Sequence, residues 1–269
     1  MSVNQPIDTE AAWAYEKGLV PALNGAPAAL MVDMAAVRDD ERVIDVACGT
    51  GIVARLVAAK CPGSGRIAGI DIDPAMLEVA RALGARSNGA AIDWHCGSAL
   101  AMPFAPASFD VALCLQGLQY LPDCHAGLCE IHRVLSASGR FIAAVWTRLE
   151  ACKGQLALAR ALERRDIDAS PIRKAYSFGT PDRIMALMKN ARFRNIGLSV
   201  STAAGRFDSA RAFVDAFAAG SLSSRAALAK IPVGERDAFL EEIDTALREF
   251  ADGDGISLPL EYLVVSARA

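Results

Sequence analysis

The sequence predicts an α/β fold, a mostly parallel sheet of seven strands with helices on both faces and added helices forming a cap. Three observations carry this expectation. Between residues 40 and 147, apolar runs of strand length alternate with segments of helix length, the rhythm of βαβ units. The first of these runs passes directly into a glycine turn, Gly49-Thr50-Gly51, that opens a helix. The fourth, FDVALCLQ at 109–116, is apolar throughout 111–115, as a strand covered on both faces must be.

Taken in order, the first forty residues read as helices. Ala11 to Val20 carries Trp13, Tyr15, Leu19 and Val20, and Ala26 to Val37 is rich in alanine. RVIDVAC (42–48) is the first strand and IVARLVAAK the helix after it. RIAGIDI (66–72) is the second strand. Asp73 has the side chain of an N-cap and Pro74 suits a first helical position, so AMLEVARAL continues as a helix. IDWHCG (92–97) is the third strand. Residues 123–135 predict a helix that stops near Ser138-Gly139, and RFIAAVW (140–146) is the fifth strand. Beyond 147 the rhythm changes. Residues 150–167, 181–191 and 208–250 read as helical, with GLSVST (197–202) and LEYLVVSA (260–267) as closing strands. No repeat or low-complexity linker divides the chain. Residues 1–269 therefore read as one domain: a core of about 40–147 plus the strands near 197–202 and 260–267, with cap helices at about 1–37, 150–191 and 208–250.

Charge and cysteine usage narrow the function classes. The net charge is -3 and the basic residues are scattered, so no nucleic-acid partner is expected. No apolar run reaches the roughly 18 residues of a membrane span, and the opening MSVNQPIDTE is polar and acidic, unlike a signal peptide; no membrane insertion is expected. Cysteines stand at 48, 61, 96, 114, 124, 129 and 152, an odd number with no C-x-x-C pair, which argues against a disulfide framework or a zinc site. They read as reduced thiols, mostly core fillers, of a cytoplasmic protein. With three histidines, no metal centre is expected. A homodimer stays open.

The most informative stretch is VIDVACGTG at 43–51, a tight glycine turn between strand and helix at the carboxyl end of the sheet, where open α/β sheets bind ligands. Asp71, 22 residues after Gly49, ends the second strand and is placed to accept hydrogen bonds from both ribose hydroxyls of a nucleoside. Gly49-Thr-Gly51-Ile-Val-Ala54 also matches the G-x-G-x-x-A of dinucleotide sites, so the turn alone does not choose between nucleotides. Asp45 does. A carboxylate just before the glycines repels a pyrophosphate and suits S-adenosyl-L-methionine (SAM), which carries a sulfonium and an ammonium and no phosphate.

On these residues the chain resembles the class I SAM-dependent methyltransferases, with their Rossmann-like sheet, and in particular the ubiquinone/menaquinone C-methyltransferase-like branch. VIDVACGTG (43–51) resembles the first family motif. GIDIDPAML (69–77) resembles the second. CGSALAMPFAPASFDVALCLQGLQYLPD (96–123) and EIHRVLSASGRFIAAVW (130–146) resemble the stretches that follow. The resemblance implies that Asp45, Ala47, Cys48, Gly49 and Gly51 contact the methionine part of SAM, Cys48 through its backbone N–H. It implies that Asp71 holds the ribose, that Ile72 and Met76 flank the adenine, and that Gly97, Ser98 and Ala99 close over it. Ala47 replaces the first glycine of the strict pattern, with little effect expected. Ser98 stands where members often have Asp, so weaker adenine binding is expected. Ala137-Ser138-Gly139 replaces Pro-Gly-Gly as a turn.

Methyl transfer from a sulfonium asks mainly for positioning and desolvation, which account for roughly 7–11 kcal/mol of barrier; a base is needed only for a protonated nucleophile. Gln116, Gln119 and Tyr120 after the fourth strand, Trp146 at the end of the fifth and Tyr15 on a covering helix are the candidates for cofactor or substrate contact. Among histidines, His125 is the candidate base, while His95 reads as packed or exposed and His132 and Arg164-Arg165 as solvated faces. Residues 114–117 read Cys-Leu-Gln-Gly, without the Asn/Asp-Pro-Pro-aromatic loop of nitrogen methylators of adenine or glutamine. Phe178, Phe193, Phe213, Phe217 and Leu222 suggest an apolar pocket. The expected acceptor is a small aromatic or polyketide-like metabolite methylated at O, N or C. A quinone-pathway carbon acceptor, a SAM-binding protein without turnover and an NAD-dependent oxidoreductase remain the other readings; Asp45 and the lack of a Tyr-x-x-x-Lys pair speak against the last.

Overall fold

A computed structural model describes residues 8–61, 66–84 and 90–269. One sheet runs in the order β3-β2-β1-β4-β5-β8-β6, with a short β7 paired to β8. The chain enters through α1 (Glu10–Ala14), a wide helical segment (Tyr15–Asn24) and α2 (Gly25–Ala35). The core follows as β1 (Arg42–Val46), α3 (Ile52–Lys60), β2 (Arg66–Asp71), α4 (Pro74–Gly84), β3 (Ile92–Cys96), β4 (Phe109–Leu115), α5 (Cys124–Val134) and β5 (Leu135–Trp146). The remainder is α6 (Lys153–Glu163), α7 (Ser170–Ala175), α8 (Pro181–Asn190), β6 (Arg194–Phe207), α9 (Ala210–Gly220), α10 (Arg225–Leu228), α11 (Arg236–Leu247), β7 (Ala251–Asp252) and β8 (Gly255–Arg268).

The pairings β1–β2, β2–β3, β1–β4 and β4–β5 are parallel, while β8 lies antiparallel between β5 and β6. Strand residues alternate between the two faces, and the buried core divides accordingly. Val43, Val111 and Leu113 face the helices that include α2, α3, α6 and α9. Ile44, Val46, Ala112 and Cys114 face α5 and α8. The chain steps outward from β1 to β3 and returns to β4 on the other side of β1. The carboxyl ends of β1 and β4 therefore diverge into the crevice that open sheets use for ligands.

Four expectations change. First, the opening helices are one continuous helix, Glu10–Ala35, long and apolar enough by length and composition to cross a membrane, with half of its most apolar window buried in the protein. Pro21 cannot donate to a regular turn; the i→i+5 register of Tyr15–Asn24 carries the helix past it. Second, α5 ends at Val134 and β5 begins at once. Leu135 pairs with Phe109 and Arg140 with Val111, so residues 136–139 form an irregularity in the ladder rather than a turn. Third, β6 and β8 run 14 residues each, longer than their apolar stretches, because serine, glycine and alanine on the outer positions of β6 dilute the pattern. Fourth, Arg164 and Arg165 both pair with Glu242 of α11, and Arg165 lies 5.1 Å from the Phe239 ring. Both fasten the end of α6 to α11; Arg164 stays exposed as expected, whereas Arg165 is largely buried.

Candidate cofactor and acceptor site

A cavity of about 400 Å³ opens at the carboxyl ends of β1, β2 and β4, a volume within the usual range for small-molecule sites. The helix Glu10–Ala35 and α9 cover it through Tyr15, Leu19, Leu23 and Phe217. These two elements touch closely: a Cβ on Gly18 would lie 3.0 Å from Ala216, and one on Gly220 would lie 2.5 Å from the Tyr15 nitrogen.

The glycine turn is built by backbone conformations that favour glycine. Gly49 and Gly51 have φ of 53° and 83°. Gly51 is needed twice over, because a Cβ there would sit 2.2 Å from the Trp94 indole. Trp94 on β3 also lies against Gly69, where a Cβ would come within 2.4 Å of it. The indole thus supports the turn from below, a role that no motif revealed. Ala47 also has a left-handed backbone, φ 55°, so its departure from glycine is not neutral. A left-handed alanine costs roughly 1–2 kcal/mol, partly offset by the extra freedom glycine has in the unfolded chain. Ala47→Gly is expected to raise stability by about 0.5–1 kcal/mol, read as an upward shift of the thermal midpoint by a few degrees.

Three N–H groups of the turn are already committed. Cys48 N donates to Ile70 O (3.1 Å), Gly49 N to Asp71 Oδ2 (2.7 Å) and Gly51 N to Cys48 O (2.8 Å). The contact expected through the Cys48 N–H is therefore not on offer. Its thiol is buried, and burial pushes its pKa well up. A pyrophosphate needs free N–H groups at such a turn; these three are spent within the chain.

Three carboxylates line the same end. Asp45 is 1% exposed and its Oδ2 accepts from Ala54 N at 3.0 Å, capping the first turn of α3. Burial, joined by the nearby Asp71 charge, pushes its pKa up to about 7. Asp71 Oδ1 accepts from Asp73 N at 2.9 Å; burial raises this carboxyl too. A carboxylate has about four lone-pair sites, so each Asp71 oxygen retains one for a ribose hydroxyl. Asp73 Oδ1 accepts from Ala75 N at 2.8 Å, the N-cap expected from the sequence.

At the rim, Ile72 is 73% exposed and Met76 is buried at 8%; both line the cavity with Gly97, Ser98 and Ala99. Ser98 Oγ accepts from Leu100 N at 3.1 Å, leaving it one further lone pair. Ser98→Asp keeps that local bond and supplies a charged acceptor. Charged hydrogen bonds exceed neutral ones by about 1 kcal/mol, so SAM is expected to bind about fivefold more tightly to this variant in a calorimetric titration.

Gln116, 8% exposed, lines the cavity after β4 with φ 53°. It mirrors Ala47 after β1: both residues at the strand switch carry left-handed backbone, of the kind that clusters at functional sites. Gly117 sits between them, where a Cβ would come within 2.7 Å of the Ala47 Cβ. Tyr120, Trp146, Tyr176, Phe217, Ser221 and Leu222 continue the lining. Gln119 is buried beside Gln116 but does not line the cavity. Phe178, Phe193 and Phe213 belong to the core, not to the lining.

The histidines stay outside. His125 is exposed on α5 next to Cys129, so the expected base does not reach the cavity. His132 packs edge-on against Phe193, and His95 against Phe104. Both are partly buried, which lowers their pKa values. Sequence reasoning also missed Glu16, which accepts from Thr50 Oγ1 (2.5 Å) and pairs with Arg55 (2.8 Å). This ties the covering helix to the glycine turn. It lies one residue after Tyr15 in an unremarkable helix, and nothing in the local pattern marks it.

Comparison with known proteins agrees with this geometry. Residues 44–143 match the family described as a methyltransferase domain. Demethylmenaquinone methyltransferase of Thermus thermophilus is 33% identical over 41% of this chain and 50% of its own length. Ubiquinone/menaquinone biosynthesis C-methyltransferase UbiE of Geotalea uraniireducens is 37% identical over 38% of this chain and 43% of its own. The chain thus spans half or less of the length of these curated relatives. Among solved structures, Haemonchus contortus phosphoethanolamine N-methyltransferase 2, with phosphomonomethylethanolamine and S-adenosylhomocysteine bound, aligns at TM-score 0.63 and 18% identity over 97% of this chain and 57% of its own. The YcgJ protein of Bacillus subtilis aligns at TM-score 0.60 and 18% identity over 91% and 98%. Residues 44–143 match a methyltransferase domain, and by its sheet order, its glycine turn and that match the chain resembles the class I SAM-dependent methyltransferases, in particular the ubiquinone/menaquinone C-methyltransferase branch.

Proposed function

We propose that this protein transfers a methyl group from SAM to a small-molecule acceptor in the cavity above β1 and β4. The observation that carries the reading is the pairing of a buried carboxylate, Asp45, with a glycine turn whose Cys48, Gly49 and Gly51 N–H groups are satisfied internally. Such a turn welcomes a cation and offers little to a phosphate. The residues fit the cofactor throughout. Asp45 would meet the cationic methionine end, Asp71 the ribose, and Ile72, Met76 and Ser98 the adenine. The cofactor supplies a methyl on a sulfonium, activated for in-line displacement by a nucleophile. The chain's own residues then have to orient the acceptor and exclude water. The covering helix and α9 close the site, and Trp146, Tyr176 and Phe217 supply apolar walls. Tyr15, Tyr120 and Tyr176 have pKa values raised by burial, so they act as neutral hydrogen-bond partners.

A small aromatic or polyketide-like acceptor goes with those aromatic walls. The quinone-pathway alternative rests on the similarity of 44–143 to menaquinone and ubiquinone enzymes. A cytoplasmic setting goes with the seven unbridged cysteines and with the half-buried packing of Glu10–Ala35. Isothermal titration with SAM, S-adenosylhomocysteine and NAD tests the reading. Binding of the first two and not of NAD supports it; preference for NAD, or no binding of either sulfur nucleoside, ends it.

A further inference from the structure

The sheet ends in two edges of different character. β3, at one end, is five residues long and carries Asp93 in an ion pair with Arg66, short and charged as protected edges are. β6, at the other end, is 14 residues long, and among the described residues no strand pairs with its outer side. From Asn195 to Gly205 it contains no charged residue and no proline. Gly197 and Ser199 are exposed on one face, and Val200, Thr202 and Ala204 on the other; Val200 is 55% exposed. Such a long neutral edge presents a row of unpaired backbone N–H and C=O groups, a template for a further strand.

The strand that fits it is β6 of a second copy. A two-fold axis normal to the sheet sets the two strands antiparallel and makes the contact self-complementary. Each face of the sheet continues across the seam, so opposite residues must share a face, and one residue lies opposite itself. With Ser201 in that position, Val200 lies opposite Thr202 and Leu198 opposite Ala204 on one face, and Ser199 lies opposite Ala203 on the other. These pairs are small or apolar, and no charge meets a like charge. The same register brings Arg194 of each copy to the Asp208 end of the other, so opposite charges close both ends of the seam. Arg194 and Asp208 are both exposed. Arg194 spends one N–H on Ala269 O at 2.8 Å and has others to donate. Arg206 is already paired with Asp252 of its own copy at 2.7 Å. The neighbouring allowed register, with Val200 opposite itself, instead turns Arg194 toward Arg206.

We infer that β6 is a dimer interface, through which two copies of this chain join their sheets antiparallel about Ser201. The cofactor cavity lies at the ends of β1, β2 and β4, separated from the seam by β5 and β8. The inference is therefore independent of what the cavity binds.

Sedimentation equilibrium of the whole chain tests it. A seam of one strand pair is small beside a standard interface, so a reversible dimer is expected, forming between about 1 and 100 µM. Val200→Lys changes an exposed side chain and places a charge in the seam. It is expected to raise the dissociation constant about tenfold or more without moving the thermal midpoint. Asp208→Lys sets a like charge against Arg194 and weakens the dimer in the same way, less so at high salt. Ser201→Cys reads the register directly. Residues directly opposite in an antiparallel pair are close enough for a disulfide, so mild oxidation with copper phenanthroline in air gives a covalent dimer. Ser199→Cys, whose two copies lie four residues apart along the seam, gives none beyond the wild-type background of native cysteines. A chain that stays monomeric up to about 300 µM overturns the inference. So does a dimer that Val200→Lys leaves intact and Ser201→Cys does not cross-link, since it uses another surface. Cross-linking through Ser199→Cys in place of Ser201→Cys overturns the register and with it the charge pairing.

Discussion

Asp71→Ala is expected to weaken SAM binding about 100-fold or more. Two ribose hydroxyls donating to one carboxylate form charge-assisted bonds worth about 1.5–3 kcal/mol each. The same carboxylate also holds Gly49 N at 2.7 Å and Asp73 N at 2.9 Å. Removing it leaves the glycine turn without its anchor to β2 and unpairs two amides at the rim. Asp71→Asn separates the two contributions, since one amide oxygen still serves one N–H while charge is lost. The order of affinities expected by calorimetry is wild type, then Asp71→Asn, then Asp71→Ala. An Asp71→Ala protein that binds SAM as tightly as wild type would place the ribose elsewhere and displace the whole reading of the β2 end.

The second large effect is a pH dependence that starts at Asp45. In the ligand-free fold this carboxyl titrates near 7 because it is buried, with Asp71 close by. A cationic ligand group beside it favours the ionised form and lowers that value. Binding therefore couples to loss of a proton at and below about pH 7. Affinity for SAM is expected to fall about tenfold for each pH unit below 7 and to level off above it. Titrations in two buffers of different ionisation enthalpy read the released proton directly. Stability of the ligand-free protein moves in the opposite sense. The folded-state pKa is raised above the unfolded value of about 3.9. The folded protein thus holds the extra proton between roughly pH 4 and 7, and stability declines as pH rises through that window. Asp45→Asn keeps an oxygen for Ala54 N and carries no charge. It is expected to stabilise the ligand-free fold at pH 8 by about 2–4 kcal/mol while losing SAM affinity and its pH dependence. A thermal midpoint for Asp45→Asn below that of wild type at pH 8 would contradict the burial argument. A site residue that destabilises its own fold is the familiar exchange of stability for function.

How much of this was legible depended on whether a signal was local. Strands β1, β2, β4 and β5 are short, apolar and bounded by turn residues, so their periodicity appears in the chain itself. The turn at Gly49–Gly51 and the acid at Asp71 stand at a spacing that βα units impose, and the cap at Asp73 is one residue reading its immediate neighbours. The ends of elements were less legible. The fusion of Glu10–Ala35 depends on a wider hydrogen-bond register around Pro21, and the extension of β6 and β8 depends on their pairing with each other. Neither is written in hydropathy.

The site divides along the same line. The sequence by itself determined the sheet and its helices, the ligand turn and the carboxylates at 45 and 71, because each follows from residue types at short, regular separations. Only the tertiary structure decided what those groups do. Burial, with Asp71 nearby, turns Asp45 into a group that titrates near neutrality. The φ of 55° at Ala47 makes a methyl group costly there. Trp94 comes from a strand two places away to support Gly51. The Trp146 N–H, 30 residues along the chain, settles that the Gln116 oxygen is held and its Nε2 left without a partner, and packing of α5 sends His125 into solvent. Burial, electrostatic fields and the pairing of donors with acceptors arise from groups distant in sequence, and they exist only once the chain has folded.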